Sequence, residues 1–424
     1  LSRDPAKDYF ADGLTDEIIR NLSVIDGLVV RSRTSSFAFK GKVRAVREAG
    51  RQLDATHILE GSVLLSGQQL RINATLVRVR DDFPLWSGKY DRELTDVFAI
   101  QEEISRSIVN QLRLKLGRGR RRYETSVEVY DLYLRARALQ VQRHLTGYVQ
   151  SAAPLEQAVA KDPSFAPAHA ALASAYAVRS SQALLEKSPD ELVRMRAAAE
   201  RAIQLDPLLA EAHDALGVVH ARDGQWEKSE NSFRRAIELD PSRSTTYTNF
   251  ALRLLTDVGR IEEALGQLRV AVKADPLSPE VHLALAWVLG ITGRYDEVAG
   301  HCNKLPEDHP IRKRCLARAR LGQGRFEEAI ELHGNDRSGY LGFAYARSGR
   351  REEAEKLAAT IRHPFHQALI FAGLGDKERT FEALDRLAVL GPQMVGGTLV
   401  CPELALLRGD PRVKLLRKKV GLPE

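Results

Sequence analysis

The stretch AEAHDALGVVHARDGQWEKSENSFRRAIELDP, residues 210–241, holds two helix-like segments separated by a glycine and closed by an Asp-Pro pair. Glycine favours the end of a helix and proline cannot continue one, so Gly224 ends the first segment and Asp240-Pro241 ends the second. Both marks recur along the chain. Asp-Pro pairs begin at 162, 206, 240 and 275, and the glycines stand at 224, 259, 293 and 324. Apart from the first Asp-Pro interval of 44 residues, the spacings are 31–35 residues, and a period near 34 predicts repeated units of two helices each.

The interior of the unit agrees with tight helix packing. Leu216-Gly217 lies on the first helix, and Phe233 and Ala236 lie on the second. On these residues and marks, residues 125–390 resemble a tetratricopeptide repeat array, most closely between Ala166 and Glu297. The resemblance implies a superhelix whose first helices line a concave, peptide-binding groove.

The amino-terminal part, residues 1–116, has a different pattern. Phe10, Leu14, Ile18 and Leu22 recur at helical spacing, Leu28-Val29-Val30 reads as a short strand, and helices are expected over 43–53 and 96–116. Two strand-like runs, 57–65 and 70–79, surround a turn at 66–69, and residues 86–90 can add a third strand. The predicted fold class is therefore mainly α: a tetratricopeptide superhelix preceded by a small α+β domain. A basic linker, residues 117–124, separates the two parts.

Three motifs in residues 8–116 resemble the TolB amino-terminal-like (FlgO-like) domain: YFADGLTD at 9–16, ILEGSV at 58–63 and LWSGKYDR at 85–92. Residues 404–422 resemble the ends of the proteins that carry this domain, and residues 391–424 are predicted to form a C-terminal helical cap. The resemblance implies the non-catalytic portion of a multidomain bacterial signalling protein. In that family the upstream domain is often a class III nucleotide cyclase, a serine/threonine kinase or a winged-helix domain.

The amino-acid composition limits which other classes of protein this chain can belong to. The 424 residues are 44% hydrophobic and 28% charged, a composition typical of globular proteins. The sequence contains no apolar run long enough to span a membrane. The 63 basic residues face 56 acidic ones, so the net charge of +7 is weak support for nucleic-acid binding. Three cysteines cannot all pair within one chain, so a disulfide scaffold is excluded and a cytoplasmic location is favoured. The periplasmic portion of a membrane-anchored protein is the alternative.

No motif for catalysis or cofactor binding stands in the sequence, so we predict no enzyme, no cofactor and no metal site. His301, Cys302, His309 and Cys315 have metal-ligand side chains but lack the paired spacing of a zinc site. His169, His213 and His282 occupy equivalent places in successive units and are predicted to be structural.

The positive prediction is a binding groove on the first helices. Counting along the repeats places nine inward candidates on three successive first helices: Glu211, Asp214, Val218, Thr245, Thr248, Leu252, Glu280, Leu283 and Trp287. Trp287 stands out because an accessible tryptophan is a common interface hot spot. The alternative for Trp287 is a purely structural role, in which its side chain packs against the neighbouring unit.

The predicted function is a protein–protein interaction scaffold that binds a peptide, a helix or a partner domain in this groove. One alternative is the sensory portion of a cyclase, kinase or winged-helix regulator whose effector domain lies upstream of residue 1. A second alternative is nucleic-acid binding, which would weaken steeply between low and moderate salt. A homo-oligomer is left open by the sequence.

Overall fold

The computed structural model describes residues 8–23, 25, 28–41, 46–67, 69–111, 123–141, 145–186 and 190–423. This described part is mainly α-helical with one three-stranded sheet, which confirms the predicted fold class. None of its helices is both long enough and apolar enough to cross a membrane. The chain divides into two units: residues 1–216, 232–246 and 273–277 form the first, and residues 217–231, 247–272 and 278–424 form the second.

The α+β part of the first unit follows the predicted order. Its elements are α1 (Asp8–Ser23), α2 (Arg33–Phe37), α3 (Val46–Leu53), β1 (His57–Ser66), β2 (Gln69–Arg78), β3 (Phe83–Glu93) and α4 (Val97–Gln111). The strands are antiparallel in the order β1-β2-β3, with Asn73 opposite Ser62 on one side and Lys89 on the other. Along β2 the residues Leu70, Ile72, Ala74 and Leu76 are buried, as their alternation predicts. Helix α4 packs against β2 and β3.

Helix α1 buries the predicted stripe of Phe10, Leu14, Ile18 and Leu22. The predicted strand at 28–30 is wrong: these residues have no regular structure, and Val29 is 78% exposed. A strand needs a neighbouring strand for its backbone groups. The Leu28 amide donates instead to the Ile25 carbonyl at 3.1 Å, and just beyond the segment the Ser32 amide donates to the Ala274 carbonyl at 3.1 Å. Residues 117–122 of the predicted linker lie outside the described residues.

Sixteen helices follow in the described part of the chain. They are α5 (Val127–Val141), α6 (Leu145–Lys161), α7 (Ala166–Glu186), α8 (Asp190–Leu205), α9 (Ala210–Arg222), α10 (Trp226–Leu239), α11 (Ser244–Phe250), α12 (Ile261–Ala274), α13 (Pro279–Ile291), α14 (Tyr295–Cys302), α15 (Arg312–Gly322), α16 (Phe326–His333), α17 (Gly339–Arg347), α18 (Arg351–Thr360), α19 (Pro364–Gly373) and α20 (Lys377–Ala388). From α8 to α13 the helices alternate as the two sequence marks predict. A π-helical turn, Ala251–Leu255, follows α11.

Both marks work as expected. The four glycines after the first helices, at 224, 259, 293 and 324, have φ between 70° and 90°, the left-handed region that favours glycine. An aspartate directly follows each of α6, α8, α10 and α12. In the Asp206 and Asp240 turns the carboxylate accepts a backbone N–H two residues on, at 2.9 and 3.1 Å. These turns end the second helix of each pair.

Helices α17 and α19 pack closely against each other, and the end of the chain lies against α19 and α20. A Cβ on Gly339 of α17 would overlap the His366 backbone of α19, so glycine is required at this contact. Beyond α20 come α21 (Pro392–Leu399), a 3₁₀ turn (Pro402–Leu407) and α22 (Pro411–Lys419). Helix α21 packs on α20 and the 3₁₀ turn packs on α19. Leu404, Leu407 and Leu416 complete the hydrophobic core of this end of the second unit.

Candidate functional site

Three of the nine predicted groove residues lie in the first unit: Glu211, Asp214 and Thr245. Thr245 is exposed, Asp214 is buried, and the Glu211 side chain is 11% exposed. The Glu211 carboxylate is bound by the protein itself: Arg137 Nη1 donates to it at 3.0 Å and Ser174 Oγ at 2.9 Å, and Arg243 Nη2 lies 3.3 Å away. In this structure Glu211 is therefore part of an internal ion network.

That network reaches the α+β part of the same unit. Arg137 Nη2 donates to Asp16 of α1 at 2.8 Å, and Arg33 Nη1 donates to the same Oδ2 at 3.0 Å. Burial opposes ionisation of Glu211, but Arg137 and Arg243 lower the pKa of Glu211 to about 2. Burial also raises the pKa of Asp16, yet Arg33 and Arg137 outweigh it and hold that pKa well below its usual range. Both carboxylates are charged at neutral pH.

Further polar contacts join the start of the chain to the Asp-Pro turns of the first unit. Ser35 Oγ donates to the buried carboxylate of Asp275 at 2.5 Å, and Ser242 Oγ donates to Ser23 Oγ at 2.6 Å. The backbone amide of Leu277 donates to Ser35 Oγ at 3.0 Å. These pairs could not be predicted from the sequence, because each joins residues more than 200 positions apart.

The other six predicted residues lie in the second unit: Val218, Thr248, Leu252, Glu280, Leu283 and Trp287. Val218 is buried and Glu280 is exposed, whereas Thr248, Leu252, Leu283 and Trp287 are partly buried. Leu252 lies in the π-helical turn rather than in a regular first helix. Leu283 and Trp287 share α13, one helical turn apart. These two side chains are apolar and partly exposed, as the contact residues of a binding groove must be.

Trp287 contacts a cluster that the sequence analysis missed. The guanidinium carbon of Arg318 lies 5.7 Å from the Trp287 ring centroid and 5.1 Å from that of Tyr340. These residues come from α13, α15 and α17, the first helices of three successive pairs. A signal existed for Arg318: like Trp287, it stands six residues before the glycine that ends its helix.

Two of the four residues that were predicted not to form a metal site are joined by a covalent bond. Cys302 and Cys315 form a disulfide with Cα atoms 5.7 Å apart, and Cys401 is a buried free thiol. Their sulfur atoms are therefore not available as thiolate ligands in this state. The odd cysteine number excluded only the pairing of all three, and the compartment stays a prediction. His169 and His213 bond the carbonyls of Pro163 and Pro207, which agrees with a structural role.

A small cavity of about 130 Å³ opens within the first unit. It lies where the sheet, α1 and the start of α5 meet, and its lining includes Phe10, Leu65, Leu94, Thr95, Tyr130 and Asp131. Ligand pockets for drug-sized molecules occupy about 300–1,000 Å³. This cavity is thus too small to enclose a nucleotide.

The family comparison agrees with the repeat marks. Models described as tetratricopeptide repeat match residues 210–243 and residues 252–310. Residues 210–243 and 252–310 are tetratricopeptide repeats. The matched repeats hold all nine predicted groove residues except Thr245 and Thr248. The resemblance of residues 8–116 to the TolB-like domain stays a prediction, beside an observed small sheet at 57–93.

One curated relative is the protein named "Putative adenylate cyclase 3" of Rhizobium meliloti (strain 1021). It is 41% identical over 177 residues, which cover 41% of this chain and 30% of the relative. The match thus spans less than a third of that protein's length.

Similar solved structures include a tetratricopeptide repeat protein from Parabacteroides merdae ATCC 43184, with a TM-score of 0.40 and 16% identity over 57% of this chain and 99% of that one. PilF of Pseudomonas aeruginosa has a TM-score of 0.36 and 19% identity over 50% of this chain and 97% of that one. With TM-scores below 0.5, these likenesses say nothing about what this chain binds.

Proposed function

We propose that this chain is a non-catalytic scaffold of a bacterial signalling or regulatory protein, whose tetratricopeptide repeats bind a peptide, a helix or a partner domain. The observation that supports this most is the position of Trp287. It is a large, partly exposed aromatic side chain on a first helix, beside Leu283 and against Arg318. Tryptophan and arginine are the residue types most enriched among interface hot spots.

The proposal keeps the predicted groove residues but gives them unequal roles. Glu211 and Asp214 lie in or beside the ion network of the first unit, so we assign partner contact first to the second-unit residues. Trp287 and Leu283 form the apolar centre of this surface. Leu252 adds to this apolar part, Thr248 and Glu280 are assigned to its polar margin, and Val218 stays a predicted contact of lesser weight. Glu211, Asp214 and Thr245 of the first unit stay separate predictions.

The Trp287→Ala variant tests this function. We expect partner binding to weaken about thirtyfold, because truncating a hot-spot side chain costs at least about 2 kcal/mol. The measurement is capture of proteins from a lysate of the source organism on the immobilised chain, followed by titration of the captured protein. Val389→Ala is the matched control, since Val389 is an exposed apolar residue of the same unit.

Circular dichroism of both variants completes the experiment. Native helicity with lost capture supports the groove. Native helicity with unchanged capture contradicts it, and lost helicity in Trp287→Ala assigns this side chain to packing instead.

A second candidate function is the regulatory portion of a nucleotide cyclase, which the 41% identity with the Rhizobium meliloti protein favours. The parent gene upstream of the Leu1 codon tests this. If a cyclase domain is encoded there, we expect Trp287→Ala in the whole gene product to change its rate of cyclic AMP formation. A start codon directly upstream of Leu1 would contradict this candidate and leave the scaffold role.

A further inference from the structure

The Arg318 side chain is buried without adequate partners. Only 8% of Arg318 is exposed, and within the described part of the chain neither Nη1 nor Nη2 has a hydrogen-bond partner. Its facing acid is Glu403, whose Oε1 lies 3.8 Å from Nε, too far for a hydrogen bond. Glu403 Oε2 has no partner among the described residues either. Such unsatisfied groups are costly, so this site is chemically incomplete.

The surroundings of Arg318 resemble the walls of a recognition site. Trp287 and Tyr340 both lie within cation–π distance of the guanidinium and hold it in place from two neighbouring helices. A guanidinium fixed in this way presents its two terminal nitrogens as a fork, which matches a carboxylate in bidentate geometry. The wall residues thus prepare Arg318 for an acidic group.

The chain's own C-terminal segment, here residues 392–407, reaches this site at Glu403, and its first half contacts residues 253–257 of the same unit. Gln393 Nε2 donates to the Arg253 carbonyl, and a Cβ on Gly396 would overlap the carbonyl oxygen of Asp257. Leu404 and Leu407 anchor the segment by burial, and Glu403 is the residue that faces Arg318. Side-chain anchors, backbone contacts and one charge are the means by which a bound peptide is held.

We propose that the Trp287–Arg318–Tyr340 site recognises an acidic side chain of a partner peptide, and that residues 392–407 occupy it in cis as a pseudo-ligand. This rests on the proposed function, and it adds the chemistry of the ligand. Glu403 supplies the right charge at an unfavourable distance. A partner segment that brings a carboxylate within reach of Nη1 and Nη2 satisfies the groups that Glu403 leaves unpaired, and so displaces the segment.

The test uses the full chain carrying Gly396→Ala. The added methyl group overlaps backbone at Asp257, which cannot move as a side chain can, so the segment is forced off its seat. The probe is a fluorescein-labelled synthetic peptide with the sequence of residues 399–410, and binding is measured by fluorescence anisotropy. We expect the peptide to bind Gly396→Ala at least tenfold more tightly than the unchanged chain. Gly300→Ala is the matched control, because nothing lies within 4 Å of its added Cβ.

Two further changes identify the charge pair. Adding Arg318→Gln to the Gly396→Ala chain should weaken peptide binding at least tenfold, and so should Glu403→Gln in the peptide. A second opened variant is Glu403→Gln in the chain itself, which removes the charge of the pseudo-ligand without changing its shape. We expect that variant to bind the unchanged peptide more tightly than the wild-type chain does.

The proposal is overturned if neither opened variant binds the peptide more tightly than the unchanged chain, or if Arg318→Gln leaves the affinity unaltered. These outcomes are distinct from failure of the scaffold function. Capture that depends on Trp287 while the peptide does not bind would retain the repeat surface and remove only the acidic ligand.

Discussion

Replacing Arg137 with alanine is expected to lower the free energy of unfolding by about 3–5 kcal/mol. Arg137 bridges two carboxylates at once, Asp16 of α1 at 2.8 Å and Glu211 of α9 at 3.0 Å. All three side chains are only 11–13% exposed. Without Arg137, Asp16 keeps Arg33, but Glu211 and Asp214 share Arg243, so three carboxylates face two guanidinium groups and one negative charge is uncompensated. Chemical denaturation followed by circular dichroism measures this loss.

Arg106→Ala is the control for the Arg137 prediction. Arg106 pairs with Glu102 on the exposed side of α4, where both side chains are more than half exposed, so we expect a loss below about 0.5 kcal/mol. The acid dependence gives a second check. Glu211 has a lowered pKa in the folded chain, so its stabilisation is complete above its usual value of 4.5 and is lost as the pH falls towards about 2. The difference between wild type and Arg137→Ala should shrink over that range; a difference that is small at pH 7 contradicts the role of the network.

Tyr133→Ala is expected to cost about 3–5 kcal/mol, the range for truncating a buried aromatic residue. Tyr133 lies on α5 and is 2% exposed. Its ring meets that of Phe165 edge-on with centroids 5.3 Å apart, and its hydroxyl donates to Glu17 Oε1 at 3.0 Å. Burial raises the pKa of Tyr133, so the hydroxyl stays protonated and remains a donor. Alanine removes both the packing and the hydrogen bond.

Tyr133→Phe separates the two contributions. It retains the ring and removes only the hydroxyl, and Glu17 still has Arg20 as a partner, so we expect a loss of about 1–2 kcal/mol. Thermal and chemical denaturation of the two variants should therefore give clearly different stabilities. Equal losses would show that the hydrogen bond to Glu17, and not ring packing, dominates at this position.

The sequence predicted the repeat boundaries because their causes are local. A glycine at positive φ ends a first helix, and an aspartate with its proline ends a second one, whatever lies elsewhere in the chain. The stripe of α1 and the alternation in β2 were likewise readable, since burial follows a fixed period. The strand predicted at 28–30 failed because three apolar residues carry no information about a partner strand.

The interactions of the candidate site are long-range, and the sequence did not predict them. Nothing in one sequence pairs Asp16 with Arg137, or places Glu403 opposite Arg318. The groove residues were counted from a regular repeat. Glu211 stands at a groove position by that count, yet its carboxylate is already paired with Arg137 and Arg243. The π-helical turn at Leu252 and the close glycine contacts of α17 also depend on neighbours rather than on period.

The ion pair between Asp16 and Arg137 spans the stretch of chain, residues 117–124, that reads as a linker. A gene fusion at that stretch would separate the two charges, leaving Asp16 with Arg33 and Arg137 with Glu211 as their remaining partners. The α+β region therefore shares buried ion pairs with the helices that follow it, and it is not an independent domain that could be transferred to another chain by itself. A recombination that keeps this ion network must transfer α5 and the start of α9, which carries Glu211, together with the α+β region.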